Sequence, residues 1–159
     1  MAKMLIALDE SKRSMKAVEY VAEQFSAIRD LQITLVHVLP NLPAIFWDEG
    51  HILNDEEKKD RKKVVDKWLS DRLVTMEPLF RKATDLLVAK GVSAARIGRK
   101  TISDSLDAAG SLLEAATDGG FQTIVLGRHS SGNGSSHLIG NVTNKVVSHG
   151  AGMTVIVVG

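Results

Sequence analysis

The sequence predicts an α/β fold: a three-layer sandwich in which helices cover both faces of a five-stranded, mostly parallel sheet. Apolar runs of strand length recur along the 159 residues, without the apolar–polar alternation of a sheet that faces water. Between these runs lie longer segments in which apolar residues return every three or four positions, the period of an amphipathic helix. Strands that alternate with helices in this way form βαβ units, which build parallel sheets.

The first strand is predicted at residues 4–9, MLIALD, and the second at residues 32–39, QITLVHVL. Ser11 is the predicted N-cap of the intervening helix, because a hydroxyl can accept from a free N–H of the first turn. Two prolines and an aromatic pair predict a long loop over residues 41–54. The apolar stripe of the first helix comprises Met15, Val18, Ala22 and Phe25.

A long helix follows the loop, and Pro78 predicts a kink in it, because proline removes a backbone hydrogen bond. Gly91 ends this helix, a weaker strand is predicted at residues 92–98, and Ser103 or Asp104 caps the third helix. The predicted buried faces are Val65, Trp68, Met76, Leu79, Ala83 and Leu86 on the long helix, and Leu106, Ala109, Leu113 and Ala116 on the third. The fourth strand, last helix and terminal strand are predicted at residues 121–127, 141–149 and 153–159.

Composition narrows the class of protein. A chain of 159 residues without an internal repeat fits a single domain over residues 1–159. The formal net charge of +1 gives no electrostatic reason to expect a nucleic acid or an anionic membrane as a partner. The sequence has no cysteine, which excludes disulfides, thiolate zinc sites and a cysteine nucleophile. The N-terminal apolar run is too short for a signal peptide, so we expect a cytoplasmic protein.

A glycine- and serine-rich stretch between the fourth strand and the last helix predicts a binding loop, because a helix N-terminus offers free N–H groups to an anion. Glycines let a backbone approach a phosphate closely. A linker is excluded because both flanking elements belong to the same alternation. A mobile surface loop remains an alternative. In parallel sheets ligands bind at the carboxyl ends of the strands, where Asp9, Val38 and Gly127 lie.

The chain resembles the universal stress protein family over essentially all its residues. The resemblance is carried by LIALDES at the first strand end, LVHVLP at the second, TIVLGRH at the fourth, and GNVTNKVVSHGAGMTVIVV at the end of the chain. ATP-binding members of that family carry Gly, two residues, Gly, nine residues, then Gly and Ser or Thr. Gly127 and Gly140 match this spacing, whereas Ser130 replaces the second glycine and Asn141 the hydroxyl residue. Asn141 suits an N-cap and can donate to a phosphate, but Ser130 is strained if its φ is positive.

The resemblance implies an adenine nucleotide α-hydrolase-like fold and an ATP site, with Mg²⁺, at the carboxyl ends of the first and fourth strands. Asp9 would contact the adenine or ribose, and the residues that begin the last helix would hold the phosphates. A carboxylate suits a hydroxyl or amine donor, and suits phosphate poorly unless a metal intervenes; capping the first helix is an alternative role for Asp9. The implied nucleotide-binding residues are Ala7, Leu8, Asp9, Val38, Leu126, Gly127, Arg128, Ser130, Gly140, Asn141 and Val142.

The histidines and serines do not form a recognisable catalytic or metal site in the sequence. His37, within an apolar strand, is interpreted as a hydrogen-bonded structural residue, whereas His129 and His137 could contact phosphate. The loop serines have no base and carboxylate partner at a spacing that would activate a nucleophile. Phe46 and Trp47 are expected to pack over the open end of the sheet, or else to cover the nucleotide or a subunit contact.

Three functions follow from these observations. The first is an ATP-binding regulatory module of the stress response with at most very slow hydrolysis. The second is a family member that acts through protein contacts without a nucleotide, and the third is an adenylating enzyme, for which we find no phosphate-loop motif or catalytic base. A homodimer is expected through the terminal strand, an apolar run without a charge to protect a sheet edge. The dimer contact comprises Thr154, Val155, Ile156, Val157 and Val158.

Overall fold

The computed structural model describes residues 2–39, 53–103, 105–128 and 140–159, and its strands form one five-stranded sheet. Neighbouring strands lie in the order β3-β2-β1-β4-β5. All four neighbouring pairs in this described sheet are parallel, which confirms the predicted fold class. The strands are β1 (Lys3–Ala7), β2 (Gln32–Val38), β3 (Ile97–Ile102), β4 (Thr123–Gly127) and β5 (Thr154–Val158).

Four α-helices cover the two faces of the sheet. They are α1 (Lys12–Phe25), α2 (Asp55–Ala89), α3 (Ala108–Asp118) and α4 (Asn141–His149). One apolar cluster joins α1 and α2 to the sheet, and a second joins α3 and α4 to its other face. The three predicted layers are therefore present. Among the described residues, no helix is both long and apolar enough to span a membrane.

The central strands are buried on both faces, as their continuous apolar runs predicted. In β1, Leu5 packs on the α3 and α4 side while Ile6 packs on the α1 and α2 side, and neither side chain is exposed. In β4, Val125 and Leu126 face opposite sides in the same way. Since alternate strand residues point to opposite faces, each apolar residue in these runs packs in one of the two apolar clusters.

The third strand begins five residues later than predicted. Gly91, at a φ of 105°, ends α2, and the Val92 N–H donates to the Leu87 carbonyl at 3.0 Å. A short 3-10 helix, Ala94–Arg96, separates this turn from β3. The strand was misplaced because β3 is an edge strand with the polar sequence IGRKTI, whose stabilising contacts are not apolar. Arg99 lies over the Phe80 ring and pairs with Glu77 at 3.1 Å.

The start of the third helix also differs from the prediction. Asp107 is the N-cap, accepting from the Gly110 N–H at 3.3 Å, so the cap predicted at Ser103 is wrong, and Asp104 lies outside the described residues. Leu106 precedes the helix and is 93% exposed, which makes its assignment to the buried stripe wrong. The buried residues of α3 are Ala109, Leu112, Ala115 and Ala116, with Leu113 packed at the margin of the second cluster.

The long helix was predicted correctly in extent and partly in its buried face. Asn54 caps α2 in a capping box with Glu57, and the helix continues through Pro78. The buried residues are Met76, Phe80, Ala83 and Leu87, whereas Val65, Trp68, Leu79 and Leu86 are partly buried. The predicted loop before this helix lies almost wholly outside the described residues, including Phe46 and Trp47.

The chain order of the strands creates a switch point at the centre of the sheet. From β1 the chain moves outward through β2 to β3, then crosses to the other side of β1 to form β4 and β5. The helices that follow β1 and β4 therefore leave the sheet in opposite directions at neighbouring strand ends. In open parallel sheets this crevice is where ligands bind.

Candidate functional site

The carboxyl ends of β1 and β4 and the first turns of α1 and α4 border the candidate site. Their strand ends are neighbours, since Met4, Leu5 and Ile6 of β1 pair with residues 123–125 of β4. Gly127 lies under the first turn of α1: a Cβ there would stand 3.0 Å from the backbone C and O of Arg13. Real Cβ atoms rarely approach backbone so closely, so glycine is what lets α1 pack against the end of β4.

The turn from β1 into α1 is held by its own polar groups. An Asp9 carboxylate oxygen accepts from the Ser11 N–H at 2.7 Å, and the Ser11 hydroxyl accepts from the Ser14 N–H at 3.3 Å. The buried Ser14 hydroxyl accepts from the Asp9 N–H at 3.2 Å and lies 2.9 Å from the Asp9 carbonyl. The predicted N-cap, Ser11, is confirmed. Asp9 is therefore not the cap of α1: its carboxylate accepts from the N–H of the cap residue Ser11, and this bond engages one of its two oxygens.

The connection between β4 and α4 is anchored at both of its ends. The Arg128 N–H donates to the Val158 carbonyl at 2.8 Å, and the Gly140 N–H donates to the Arg128 carbonyl at 2.9 Å. The Thr143 hydroxyl, fully buried in the first turn of α4, donates to the Gly127 carbonyl at 2.9 Å. These bonds hold the start of α4 directly beside the end of β4.

Gly140, and not Asn141, is the N-cap of α4. Gly140 has an extended conformation, with a φ of −59° and a ψ of 155°, and its carbonyl accepts from the Asn144 N–H at 2.8 Å. Asn141 is consequently the first helical residue, and no side chain caps the helix at the Gly140 position. The first turn of α4 contains no acidic residue. Within the described residues, no side chain thus accepts from the first-turn N–H groups of α4, which together with the positive end of the helix dipole favour an external acceptor.

Comparison with known proteins identifies the family of this chain. A model of the universal stress protein family matches residues 1–158. The chain belongs to the universal stress protein family. No curated protein sequence gives a significant match to it.

Solved structures of low sequence identity share the fold. Universal stress protein UspA from Lactobacillus plantarum is 16% identical with a TM-score of 0.68, covering 99% of this chain and 97% of its own. A universal stress protein from Archaeoglobus fulgidus in complex with dAMP is 17% identical with a TM-score of 0.59, covering 100% and 98%. A family protein from Arabidopsis thaliana with AMP bound is 16% identical with a TM-score of 0.59, covering 99% and 91%.

The other residues expected at the family's nucleotide site fall into three groups. Leu8 and Leu126 are at most 1% exposed and pack in opposite core clusters, so only their backbone can face the crevice. Ala7, Val38 and Val142 are partly buried and pack together with the core on the α3 and α4 side. Arg128 is exposed directly after β4. Ser130, like His129 and His137, lies outside the described residues.

Two buried polar residues near the crevice complete the arrangement. His37 is 6% exposed, and its Nδ1 lies 2.8 Å from the Leu8 carbonyl oxygen, which confirms the interpretation of a hydrogen-bonded structural residue. Thr143 was not singled out in the sequence, although a polar residue between Val142 and Val146 on an apolar helix face was a usable signal. Within the described ranges, no cluster of three histidine or acidic residues could hold a metal ion.

Proposed function

We propose that the protein is a regulatory member of its family that binds an adenine nucleotide in the crevice between the ends of β1 and β4. The observation that carries this proposal is the N-terminus of α4. Two helices begin at the crevice, and among the residues that the structure describes only α1 is capped by a side chain. An anionic ligand is therefore expected at α4, where backbone N–H groups and the helix dipole both favour negative charge.

The adenosine part of the ligand fits the other side of the crevice. Asp9 holds the Ser11 N–H with one carboxylate oxygen, which fixes the side chain and leaves the second oxygen as an acceptor for a ribose hydroxyl. Ala7 and Val38 supply an apolar surface at the ends of β1 and β2. This division keeps the carboxylate away from the phosphates, where its charge would repel them.

The phosphate group would be held by the backbone of Gly140, Asn141 and Val142. The structures from Archaeoglobus fulgidus and Arabidopsis thaliana contain dAMP and AMP, so family sites of this fold accept a monophosphate. ATP extends the same ligand by two phosphates, whose charge Mg²⁺ would neutralise; no catalytic turnover is proposed for either nucleotide. We also propose that two copies pair through β5, which is an edge strand of the described sheet.

Calorimetric titration of the full chain tests this function directly. AMP, ATP with Mg²⁺, adenosine and GMP are titrated under the same conditions. We expect AMP and ATP to bind with one site per chain, adenosine to bind more weakly because it lacks the phosphate, and GMP to bind poorly. If no adenine ligand binds, the nucleotide function is wrong and the alternative of action through protein contacts stands.

A further inference from the structure

We propose that His37 and Thr143 are positioning residues, each of which fixes the backbone on one side of the proposed nucleotide site. His37 acts on the adenosine side and Thr143 on the phosphate side. The proposal rests on the proposed function and adds to it a separate role for each of the two residues. Its basis is that two buried side chains from different elements hydrogen-bond the backbone carbonyls at the ends of the two strands that border the crevice.

His37 holds the backbone from which Asp9 projects. Because a carbonyl oxygen can only accept, the His37 Nδ1 carries the proton and donates to Leu8 at 2.8 Å. The Leu8 N–H also donates across to β2, to the Val36 carbonyl at 2.8 Å. Both the N–H and the carbonyl of Leu8 are thus hydrogen-bonded to residues of β2. These two bonds fix the backbone position of the next residue, Asp9.

Thr143 holds the first turn of α4 against the end of β4. Its hydroxyl donates to the Gly127 carbonyl at 2.9 Å, and it is the third residue of the helix. The phosphate-facing N–H groups belong to that same turn. A change in this contact moves the turn relative to β4, while leaving the β1 side of the crevice where it is.

The two hydrogen bonds contribute to stability as well as to the position of the backbone. Each is worth about 1 kcal/mol net in favour of folding, after the lost hydration of the buried side chain is counted. Valine matches threonine in shape, and phenylalanine approximates histidine, so either replacement fills the same space. What each replacement removes is a directional bond to a carbonyl at the crevice.

The two roles make different predictions for ligands with and without a phosphate. Thr143→Val should weaken AMP binding about five- to tenfold, the worth of about one hydrogen bond, while adenosine affinity falls less than about twofold. His37→Phe should weaken adenosine and AMP by the same factor, again about five- to tenfold. The ratio of AMP to adenosine affinity therefore falls in the first variant and stays constant in the second.

Conservative and remote variants provide matched controls. Thr143→Ser keeps the hydroxyl and His37→Asn keeps a donor near the Nδ1 position, so both should restore affinity to within about twofold of the unaltered protein. Thr84 donates to the Phe80 carbonyl at 2.8 Å, and His149 Nδ1 lies 3.0 Å from the Lys145 carbonyl, both away from the crevice. Thr84→Val and His149→Phe should leave both affinities unchanged.

Calorimetry on the full chain measures adenosine and AMP affinities, with competition against AMP for the weaker ligand. The inference is wrong if Thr143→Val lowers both affinities equally, if His37→Phe changes the ratio, or if the conservative variants fail to restore binding. Should either variant lose the native circular dichroism spectrum, Thr143→Ala and His37→Leu replace it under the same criteria. A protein that binds neither ligand without any substitution refutes the proposed function. If the unaltered protein binds both ligands, a ratio unchanged by Thr143→Val, or affinities unchanged by His37→Phe, refutes only the positioning roles.

Discussion

Gly140 is a single residue at which helix stability and the proposed ligand binding make opposite demands. Asp, Asn and Ser are the preferred N-caps because their oxygens accept from the first-turn N–H groups, and each is worth about 1 kcal/mol over alanine. Ser11, Asn54 and Asp107 cap α1, α2 and α3 in this way. Among the four described α-helices, only α4 has a glycine N-cap, and no side chain in the described part of the chain accepts from its first-turn N–H groups.

Gly140→Asp is predicted to weaken AMP binding strongly while leaving the fold intact or slightly more stable. The φ and ψ of Gly140 are open to any residue, so aspartate can cap α4 there without backbone strain. Its carboxylate then occupies the N–H groups and repels a phosphate, a combination that should lower AMP affinity at least about tenfold. Calorimetry gives the affinity, and thermal unfolding gives the stability.

Gly140→Asn separates the effect of charge from the effect of capping. Asparagine competes for the same N–H groups but carries no charge, so its AMP affinity should lie between those of the unaltered protein and Gly140→Asp. If Gly140→Asp binds AMP as tightly as the unaltered protein, the phosphate does not bind at this helix terminus.

At the scale of elements, α3 depends on a cap that lies later in the sequence than the cap predicted. Asp107 accepts from the Gly110 N–H at 3.3 Å and pairs with Lys145 of α4 at 3.5 Å, so it joins the two helices on one face of the sheet. Asp107→Ala should lower the free energy of unfolding by about 1 kcal/mol, chiefly through the lost cap, because the exposed ion pair contributes little.

Ser103→Ala is the matched control, because Ser103 is the cap that the sequence suggested. Denaturant unfolding should show less than about 0.5 kcal/mol change for this surface substitution. A larger loss for Ser103→Ala than for Asp107→Ala would contradict the cap observed in the structure.

The elements that the sequence predicted well are those whose apolar residues all enter a core. β1, β2, β4 and α1 have continuous or periodic apolar patterns, and their positions agree with the prediction to within a few residues. β3 has no such pattern, because an edge strand can be stabilised by contacts of polar side chains, such as Arg99 on the Phe80 ring. Its position was therefore predicted wrongly. In α3, several serine and aspartate residues precede the helix, and only the backbone conformation selects Asp107 among them.

In the candidate site, too, some features were predictable from the sequence and others were not. Asp9, Val38 and Gly127 were predicted to converge because the carboxyl ends of parallel strands share one edge of the sheet, and the structure places the ends of β2, β1 and β4 side by side at that edge. The bond from Thr143 to Gly127 could not be predicted, since it depends on the rotation of α4 about its axis. The sequence likewise does not show whether Gly140 or Asn141 is the N-cap of α4, because both residue types are found at that position.

At the scale of the whole molecule, the two edges of the sheet are unlike. β3 carries Arg99 and Lys100, charges that disfavour pairing with another chain, whereas the five residues of β5 are a threonine and four apolar residues. The outer side of β5 pairs with no strand in the part of the chain that the structure describes. Val157, on this strand, is 38% exposed. An unprotected edge of this kind favours self-pairing about a two-fold axis, which satisfies both copies at once.

We therefore predict a homodimer that Val157→Lys and Thr154→Lys together convert to a monomer. Both positions are exposed, so lysine there charges the edge without entering the core, whereas Val155 contributes to the second apolar cluster and is left unchanged. Multi-angle light scattering at micromolar concentration should give twice the chain mass for the unaltered protein and one chain mass for the double variant. Thr101→Lys, an exposed position on the opposite edge, is the control and should remain dimeric. A monomer without any substitution would rule out the dimer, and a double variant that stays dimeric would place the contact on another surface.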